Sequence, residues 1–239
     1  MTPDPGAKTS DIVQVWLIRT DLPAALLADL ETLLDDDERQ RSGALQLASH
    51  RHRFIAAHGA VRVIVGRQLG LPPEQLSWRR GRHGKPELAN GRAGAHVSLS
   101  HSGELAALAL AGRSVGVDIQ QLPAELDVAR MAARFYPPQE ARHVTATSEP
   151  SAQVDRFIRL WTRKEACVKV AGGRLFPALK LPVSGSGPIV VRDPDGPPPG
   201  LYLVRDVPAP RGFYASVAMA GALPYRVTRR WWPGGRPSA

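Results

Sequence analysis

Three charged residues, far apart along the chain, could together hold a cation and a phosphate group. Glu165 and Lys169 lie four residues apart in the sequence WTRKEACVK, residues 161–169, which has a helical pattern. At that spacing the two side chains share one face of a helix. Asp118 closes an apolar run in the sequence GVDIQ, and we expect it where a strand gives way to a loop. Mg²⁺ takes carboxylate and phosphate oxygens as ligands, and a nearby ammonium group neutralises remaining phosphate charge.

Each of these residues also has a simpler structural explanation when taken singly. An aspartate that closes a strand commonly starts a turn or caps a helix. Glu165 and Lys169 could form an ordinary helical ion pair. His101, before a predicted turn, and Lys85, in a Gly-Lys-Pro sequence, could contact phosphate or simply face water. The hypothesis of a phosphate and metal site therefore depends on the combination of residues.

The histidine and cysteine content argues against zinc and disulfides. His96 and His101 are five residues apart on a predicted strand and should point to opposite faces, which excludes a shared zinc site. Cys167 is the single cysteine, so no internal disulfide can form and a reducing compartment is expected. With no histidine base evident beside it, we interpret Cys167 as a small packed residue.

The charge of the chain favours an anionic partner. The formal net charge is +9 and the sequence pI is about 10.4, so nucleic acid, an acidic protein or a polyphosphate metabolite would all be attracted. A composition bias toward arginine would explain the same charge. No apolar run approaches the roughly 18 residues that a membrane span needs, and residues 1–10 lack an export pattern. We therefore expect a cytoplasmic protein with no membrane partner.

Hydrophobic periodicity predicts a mixture of helices and short strands. The predicted helices are 24–34, closed by the acidic residues 35–38, and 49–69, 124–135, 138–144 and 151–171; the predicted strands are 11–20, 97–100, 105–110, 115–118, 189–191, 201–204 and 214–219. Residues 78–88 are predicted to form a basic loop. The helix 49–69 has one apolar stripe and a basic opposite face that includes Arg62.

The pattern predicts an α+β fold of two similar halves. The tripeptide Arg-Phe-Ile opens both long helices, at residues 53–55 and 156–158. Each half also combines a long helix with several short strands. We therefore expect two α+β halves related by pseudo-twofold symmetry, residues 1–114 and 115–239, with a ligand cleft between them.

Four motifs in order resemble a known enzyme family. They are GKP at 84–86, VSLSHS at 97–102, GVDI at 116–119, and WTRKEA at 161–166 followed by Lys169. Together they resemble the motif set of 4'-phosphopantetheinyl transferases of the surfactin-synthetase-activating type, over about residues 35–175 by motif. The resemblance implies Mg²⁺-dependent transfer of the phosphopantetheine arm of coenzyme A to a serine of an acyl, peptidyl or aryl carrier protein. Adenosine 3',5'-bisphosphate would be released, and coenzyme A would lie between the halves.

The resemblance also implies roles for individual residues. The implied metal ligands are Asp118 and Glu165, with Lys169 beside them; the implied coenzyme A contacts are Arg41, Arg53, Lys85, Ser100 and His101, the first two at the nucleotide end and His101 at the 3'-phosphate. Many members carry an acid where this chain has Gln120. A glutamine carbonyl is a neutral oxygen ligand, so we expect Gln120 or a water to complete the metal shell, and looser Mg²⁺ binding.

Two steps of the implied reaction have open alternatives. Glu165 is the expected base for the carrier serine, directly or through a water. Lys169 would steady the pyrophosphate leaving group or assist the deprotonation. Asp118 contributes through the metal.

The carrier is expected to dock beside the cleft, on residues 121–135. Leu122, Leu126, Met131 and Phe135 are the candidate apolar contacts, or else core residues. Carrier proteins are typically acidic, so the positive chain would attract them. A monomer is expected, without nucleic acid.

Two rival interpretations belong to other classes. The sequence Arg-Arg-Trp-Trp at 229–232 could serve a nucleic-acid-binding protein by stacking on bases, but this leaves Asp118, Glu165 and Lys169 unexplained. A non-catalytic coenzyme A binder would use Lys85 and His101 and need no metal, which leaves both carboxylates unexplained.

Overall fold

The computed structural model describes residues 11–81, 84–89, 95–122, 126–173, 178–194 and 200–234, and they form an α+β fold. The helices are α1 (Ala24–Glu31), α2 (Asp36–Gly43), α3 (Ala48–Leu69), α4 (Val128–Phe135), α5 (Pro138–Thr145) and α6 (Pro150–Ala171). The strands are β1 (Asp11–Arg19), β2 (Trp78–Arg80), β3 (Pro86–Leu88), β4 (His96–Ser102), β5 (Leu105–Ala111), β6 (Val115–Gln121), β7 (Ile189–Asp193), β8 (Gly200–Val207), β9 (Phe213–Ala220) and β10 (Tyr225–Trp231). The α+β class predicted from the sequence is thereby confirmed.

Two four-stranded sheets make the centre of the molecule. The first has the order β10-β1-β5-β4, with β10 parallel to β1 and the other pairs antiparallel. The second, β6-β9-β8-β7, is antiparallel throughout. The expected division into residues 1–114 and 115–239 stays a prediction, and β10 does not follow it, because this strand from the second part joins the sheet of the first.

The alternation of side chains along the strands stacks these sheets between two long helices. On β1, Val13, Val15 and Leu17 pack with residues of β6, β8 and β9 in a core between the sheets. Ile18, on the opposite face, packs instead against α3. The outer face of the second sheet packs against α6 in a third core. The layers are therefore α3, first sheet, second sheet and α6, and both faces of β1 contribute to a core.

Glycines end both long helices where the sequence predicts. Gly70 follows α3 with φ 68° and Gly172 follows α6 with φ 63°. In this left-handed conformation their N–H groups donate to Gly66 and Val168 respectively, a capping arrangement that favours glycine.

The acidic residues 35–38 were wrongly expected to close the first helix. Helix α1 ends at Glu31, and Asp35 caps the start of α2. The side chain of Asp35 accepts from the N–H of Glu38, and Glu38 accepts from the N–H of Asp35. An Asp with Glu three residues later satisfies two free N–H groups, which favours a helix start.

Three other expectations need correction. Residues 78–88 are not a simple loop, because β2 and β3 pair there; residues 82–83 lie outside the described part. Arg62 is fully buried rather than exposed, since it forms ion pairs with Asp35 and Glu38. Strand β10 was missed because its exposed arginines hide the apolar alternation of an edge strand.

Within the described part of the chain, neither of the 22-residue helices nor any shorter one has the length and apolarity that crossing a bilayer requires.

Candidate active site

The centre of the candidate site lies where strand β6 packs against helix α6. Gly116 makes this contact possible, because a Cβ atom there would lie 2.0 Å from the carbonyl oxygen of Ala166. Asp118, two residues further on, has its side chain on the same face of β6. Lys169 donates from Nζ to Oδ1 of Asp118 over 2.7 Å. The structure thus brings together Asp118 and Lys169, 51 residues apart in sequence.

Asp118 lies in the middle of β6 rather than at a strand end, which corrects our expectation. Its side chain is almost fully buried, and Oδ1 accepts hydrogen bonds from Ser100 and Lys169, each over 2.7 Å. Burial raises the pKa of Asp118, and Lys169 and Ser100 act in the opposite direction. Oδ2 is buried and has no hydrogen-bond partner among the described residues. Burying a carboxylate oxygen without a hydrogen-bond partner costs free energy, unless a bound ligand supplies that partner.

Glu165 lies one turn before Lys169 on α6. Burial, and next the charge of Asp118, raise the pKa of Glu165 to about 7, while Lys169 opposes both effects. The two carboxylates are therefore near enough to repel each other. A divalent cation between them would remove that repulsion.

Gln120 lies on the same face of β6 as Asp118, and its Oε1 accepts from the Ser102 hydroxyl over 3.0 Å. A carbonyl oxygen has a second lone pair that remains for another partner. The part of the chain that the structure describes contains no group of three or more His, Cys, Asp and Glu residues placed to hold a metal ion. Two carboxylates and the neutral oxygen of Gln120 are nevertheless the kinds of ligand that would suit a hard cation such as Mg²⁺.

Serines at alternate positions of β4 connect the edges of the two sheets. The N–H of Val117 donates to Ser98 over 3.1 Å, and the N–H of Gln121 donates to Ser102 over 3.0 Å. Ser100, between them, donates to Asp118. This row of hydroxyls holds β4 against β6 and fixes the orientation of the Asp118 carboxylate.

His101 lies beside this row and among cations. The residue is solvent-exposed, yet the protein atoms around its ring reduce the hydration of the imidazole. This desolvation, followed by the charges of His58, Lys169 and Arg53, lowers the pKa of His101. The cluster has a positive potential and can bind an anion.

A cavity of about 490 Å³ extends from Lys169 toward α2 and the β2–β3 hairpin. Its lining includes Arg41, Lys85 and Lys169 among the predicted site residues, and Asp35, Asp37, Glu38, His58, Trp78 and Leu99 among others. Cationic groups and apolar surface thus share one cavity, which suits a ligand with anionic and aromatic parts.

Lys85 is half-buried and already has hydrogen-bond partners. Its Nζ donates to the carbonyl oxygens of Val170 over 2.8 Å and Val115 over 3.2 Å. Burial lowers the pKa of Lys85 to about 8, and the charge of Glu87 opposes this. Lys85 therefore joins the β2–β3 hairpin to the end of α6, and its third N–H remains for the cavity.

Arg41 also lines the cavity. Its guanidinium carbon is 5.1 Å from the centre of the Phe54 ring, and it forms a 3.8 Å ion pair with Asp37. The contact with the ring helps to hold the Arg41 guanidinium in place beside the cavity. The described part of the chain thus places Arg41 and Lys85 on the cavity, and Arg53 and Ser100 beside His101 and Asp118.

Sequence reasoning missed several residues that support the site. Lys164 is fully buried and forms a 2.5 Å ion pair with Glu140 of α5. His58 and Glu38 form another buried contact on the cavity wall. A capping-box pattern in residues 35–38 was the available signal for Glu38.

The aromatic pair proposed for base stacking is split. Trp232 is buried in the core beneath the first sheet, whereas Trp231 is exposed. Only one of the two rings could stack on a base, which weakens the support for the rival nucleic-acid interpretation.

Comparison with known proteins identifies the family of this chain. A family model described as the 4'-phosphopantetheinyl transferase superfamily matches residues 114–209. The 4'-phosphopantetheinyl transferase HetI of Nostoc sp. strain PCC 7120 is 36% identical over 167 residues, 68% of this chain and 70% of the relative. The 4'-phosphopantetheinyl transferase Sfp of Bacillus subtilis strain 168 is 24% identical over 172 residues, 70% of this chain and 75% of the relative.

This chain belongs to the 4'-phosphopantetheinyl transferase superfamily and is a transferase enzyme. The family resemblance expected from its motifs is confirmed.

Proposed function

We propose that this enzyme transfers the 4'-phosphopantetheine arm of coenzyme A to a serine hydroxyl of an apo carrier protein. The serine oxygen forms a bond to the phosphorus that carries the pantetheine arm. The bond from that phosphorus to the bridging oxygen breaks, and adenosine 3',5'-bisphosphate leaves. The observation that carries the proposal is that Oδ2 of buried Asp118, beside Glu165 and Lys169, has no hydrogen-bond partner in the described ranges of the chain.

Asp118 and Glu165 would hold Mg²⁺, with Gln120 or a water in the third position. When bound, the ion polarises phosphoryl oxygens and offsets charge on the leaving group. Two observations support this assignment: Oδ2 of Asp118 lacks a partner among the residues that the structure describes, and a second carboxylate, Glu165, lies nearby.

Glu165 is the proposed base that accepts the serine proton, directly or through a water. Lys169 holds Asp118 in place and presents its remaining N–H groups to the pyrophosphate. Lys85, Arg41, Arg53 and His101 would bind the anionic groups of coenzyme A, and the cavity would take its nucleotide end. Ser100, expected from the sequence to contact a phosphate, would instead orient Asp118, because its one hydroxyl proton is donated to that carboxylate.

The carrier protein is proposed to dock on residues 121–135, of which 123–125 lie outside the described part. Leu126, Arg130 and Arg134 are exposed, whereas Met131 and Phe135 are half-buried against the core of the second sheet. Exposed cations beside apolar surface fit an acidic partner.

The test is the mass of an apo carrier protein after incubation with the enzyme, coenzyme A and Mg²⁺. A gain of one phosphopantetheinyl unit is expected, and Glu165→Ala and Asp118→Ala should each abolish it. The matched control is Glu74→Ala, which removes an exposed carboxylate outside the cavity. An unmodified carrier across fatty acid, polyketide and non-ribosomal peptide carriers would overturn the proposal.

A further inference from the structure

Glu38 holds the ring of His58 in a fixed orientation on the cavity wall. His58 Nδ1 lies 3.1 Å from Oε1 of Glu38, and the two side chains are only 13% and 5% exposed. The other oxygen of Glu38 accepts from Nε of Arg62 over 2.6 Å. Burial raises the pKa of Glu38, but the His58 hydrogen bond and the Arg62 charge outweigh it and hold this pKa below its usual value. The carboxylate therefore stays ionised and accepts a proton-bearing Nδ1.

His58 lines the cavity, and its second ring nitrogen, Nε2, is not used by Glu38. Its ring stacks on Phe54 with centres 3.9 Å apart and planes 17° apart. Arg41 lies over the same Phe54 ring and lines the same cavity as His58. Because Glu38 uses Nδ1, Nε2 is the ring nitrogen that remains for a ligand.

His58 also lies next to His101. On β4, Leu99 and His101 are two residues apart and share one face of the strand. Leu99 packs against the core that contains Phe54 of α3, and it lines the cavity with His58. The side chain of His101 therefore points to the face of the sheet that packs against α3, two residues after Leu99 along β4. Among the charges that act on His101, that of His58 has the largest effect.

We propose that His58, oriented by Glu38, is a specificity-determining residue that donates from Nε2 to the 3'-phosphate monoester of coenzyme A, together with His101. The inference rests on the proposed function and extends it to discrimination between substrates. A protonated imidazole donates from both nitrogens, so His58 can bind Glu38 and a phosphate oxygen at once. A phosphate dianion also relieves the repulsion between the cations that cluster here.

The experiment compares binding of coenzyme A and 3'-dephospho-coenzyme A by calorimetry. His58→Gln should raise the Kd of coenzyme A roughly tenfold, since one charge-assisted hydrogen bond is lost, and leave that of 3'-dephospho-coenzyme A within about twofold. The control is His52→Gln, on the same helix but exposed and outside the cavity; it should change neither constant. An equal loss for both ligands, or no loss for either, would overturn the inference. If His58→Gln does not fold, His58→Asn carries the same comparison.

A kinetic readout separates this inference from the proposed function. With a carrier as acceptor, His58→Gln should raise the KM for coenzyme A and leave kcat near that of the wild type. A fall in kcat without a change in KM would contradict the assignment. Wild-type enzyme that binds coenzyme A yet modifies no carrier would overturn the proposed function, and the ratio of the two Kd values would still decide the role of His58.

Discussion

Lys169 donates to Oδ1 of Asp118 over 2.7 Å and so joins the last turns of α6 to the middle of β6. Ser100 donates to the same oxygen from the first sheet. Both donors therefore use one oxygen of Asp118, and the other, buried and unpartnered among the described residues, remains available to a ligand. The site therefore requires β4, β6 and α6 to pack together. Five predictions test the consequences of this packing and of the charges that it buries.

Glu165→Gln should increase stability while it removes activity. The folded pKa of Glu165, about 7, lies above the ordinary value of 4.5 that the unfolded chain has. Between these values the folded state binds more protons, so the free energy of unfolding falls as pH rises from 4.5 to 7. At pH 8 without Mg²⁺ we expect Glu165→Gln to be about 1–3 kcal/mol more stable in urea unfolding. Transfer should drop at least roughly 100-fold. Equal stability at pH 8 would contradict the repulsion between Glu165 and Asp118.

Lys85 should make coenzyme A binding depend on pH. Burial lowers the pKa of Lys85 to about 8, so in the free protein its charge is present below pH 8 and is lost above it. Coenzyme A should therefore bind more weakly at pH 9 than at pH 7. Lys85→Arg, whose guanidinium stays charged, should lose less affinity than the wild type between pH 7 and pH 9 in calorimetry. A parallel loss in wild type and variant would assign the pH effect to another group.

Gly116→Ala should separate α6 from β6. The added Cβ would lie 2.0 Å from the Ala166 carbonyl oxygen, so the helix must move. We expect a loss of about 3 kcal/mol in unfolding free energy, with loss of transfer as Glu165 and Lys169 shift. Gly43→Ala, with no atom within 4 Å of the added Cβ, is the control and should leave both unchanged. Full activity of Gly116→Ala would show that close packing here is dispensable.

Loss of the buried ion pair between Lys164 and Glu140 should destabilise the protein more than loss of an ion pair on the surface. Glu140 also accepts from the N–H of Val183 over 2.6 Å. Glu140→Ala leaves a buried ammonium without its partner and should cost about 3–5 kcal/mol in urea unfolding. The matched surface change, Asp36→Ala beside Arg39, should cost far less, since Asp36 is fully exposed. Similar costs for both variants would contradict the buried ion pair.

Gln120→Glu should strengthen the proposed Mg²⁺ site. A third carboxylate suits a hard cation, so the half-saturating Mg²⁺ concentration for transfer should fall by about tenfold, or roughly 1.4 kcal/mol. Gln121→Glu, on the opposite face of β6 and exposed, is the control. An unchanged half-saturating concentration would count against any role of Gln120 near the metal.

Local sequence patterns predicted most elements. The 3.6-residue periodicity identified α3 and α6, since helix amphipathicity is a local property. The patterns failed where an edge strand or a capping box overrides apolar periodicity, as in β10 and α2.

The sequence by itself determined the family and the chemical types of the site residues, because motif order and side-chain chemistry are written along the chain. Only the tertiary structure decided that Asp118 lies inside a strand, that Lys85 binds backbone carbonyls, and that His58 faces the cavity beside His101. The physical reason is that burial and partnership depend on how β4, β6, α3 and α6 pack, and these elements meet across sequence separations that no local pattern reports.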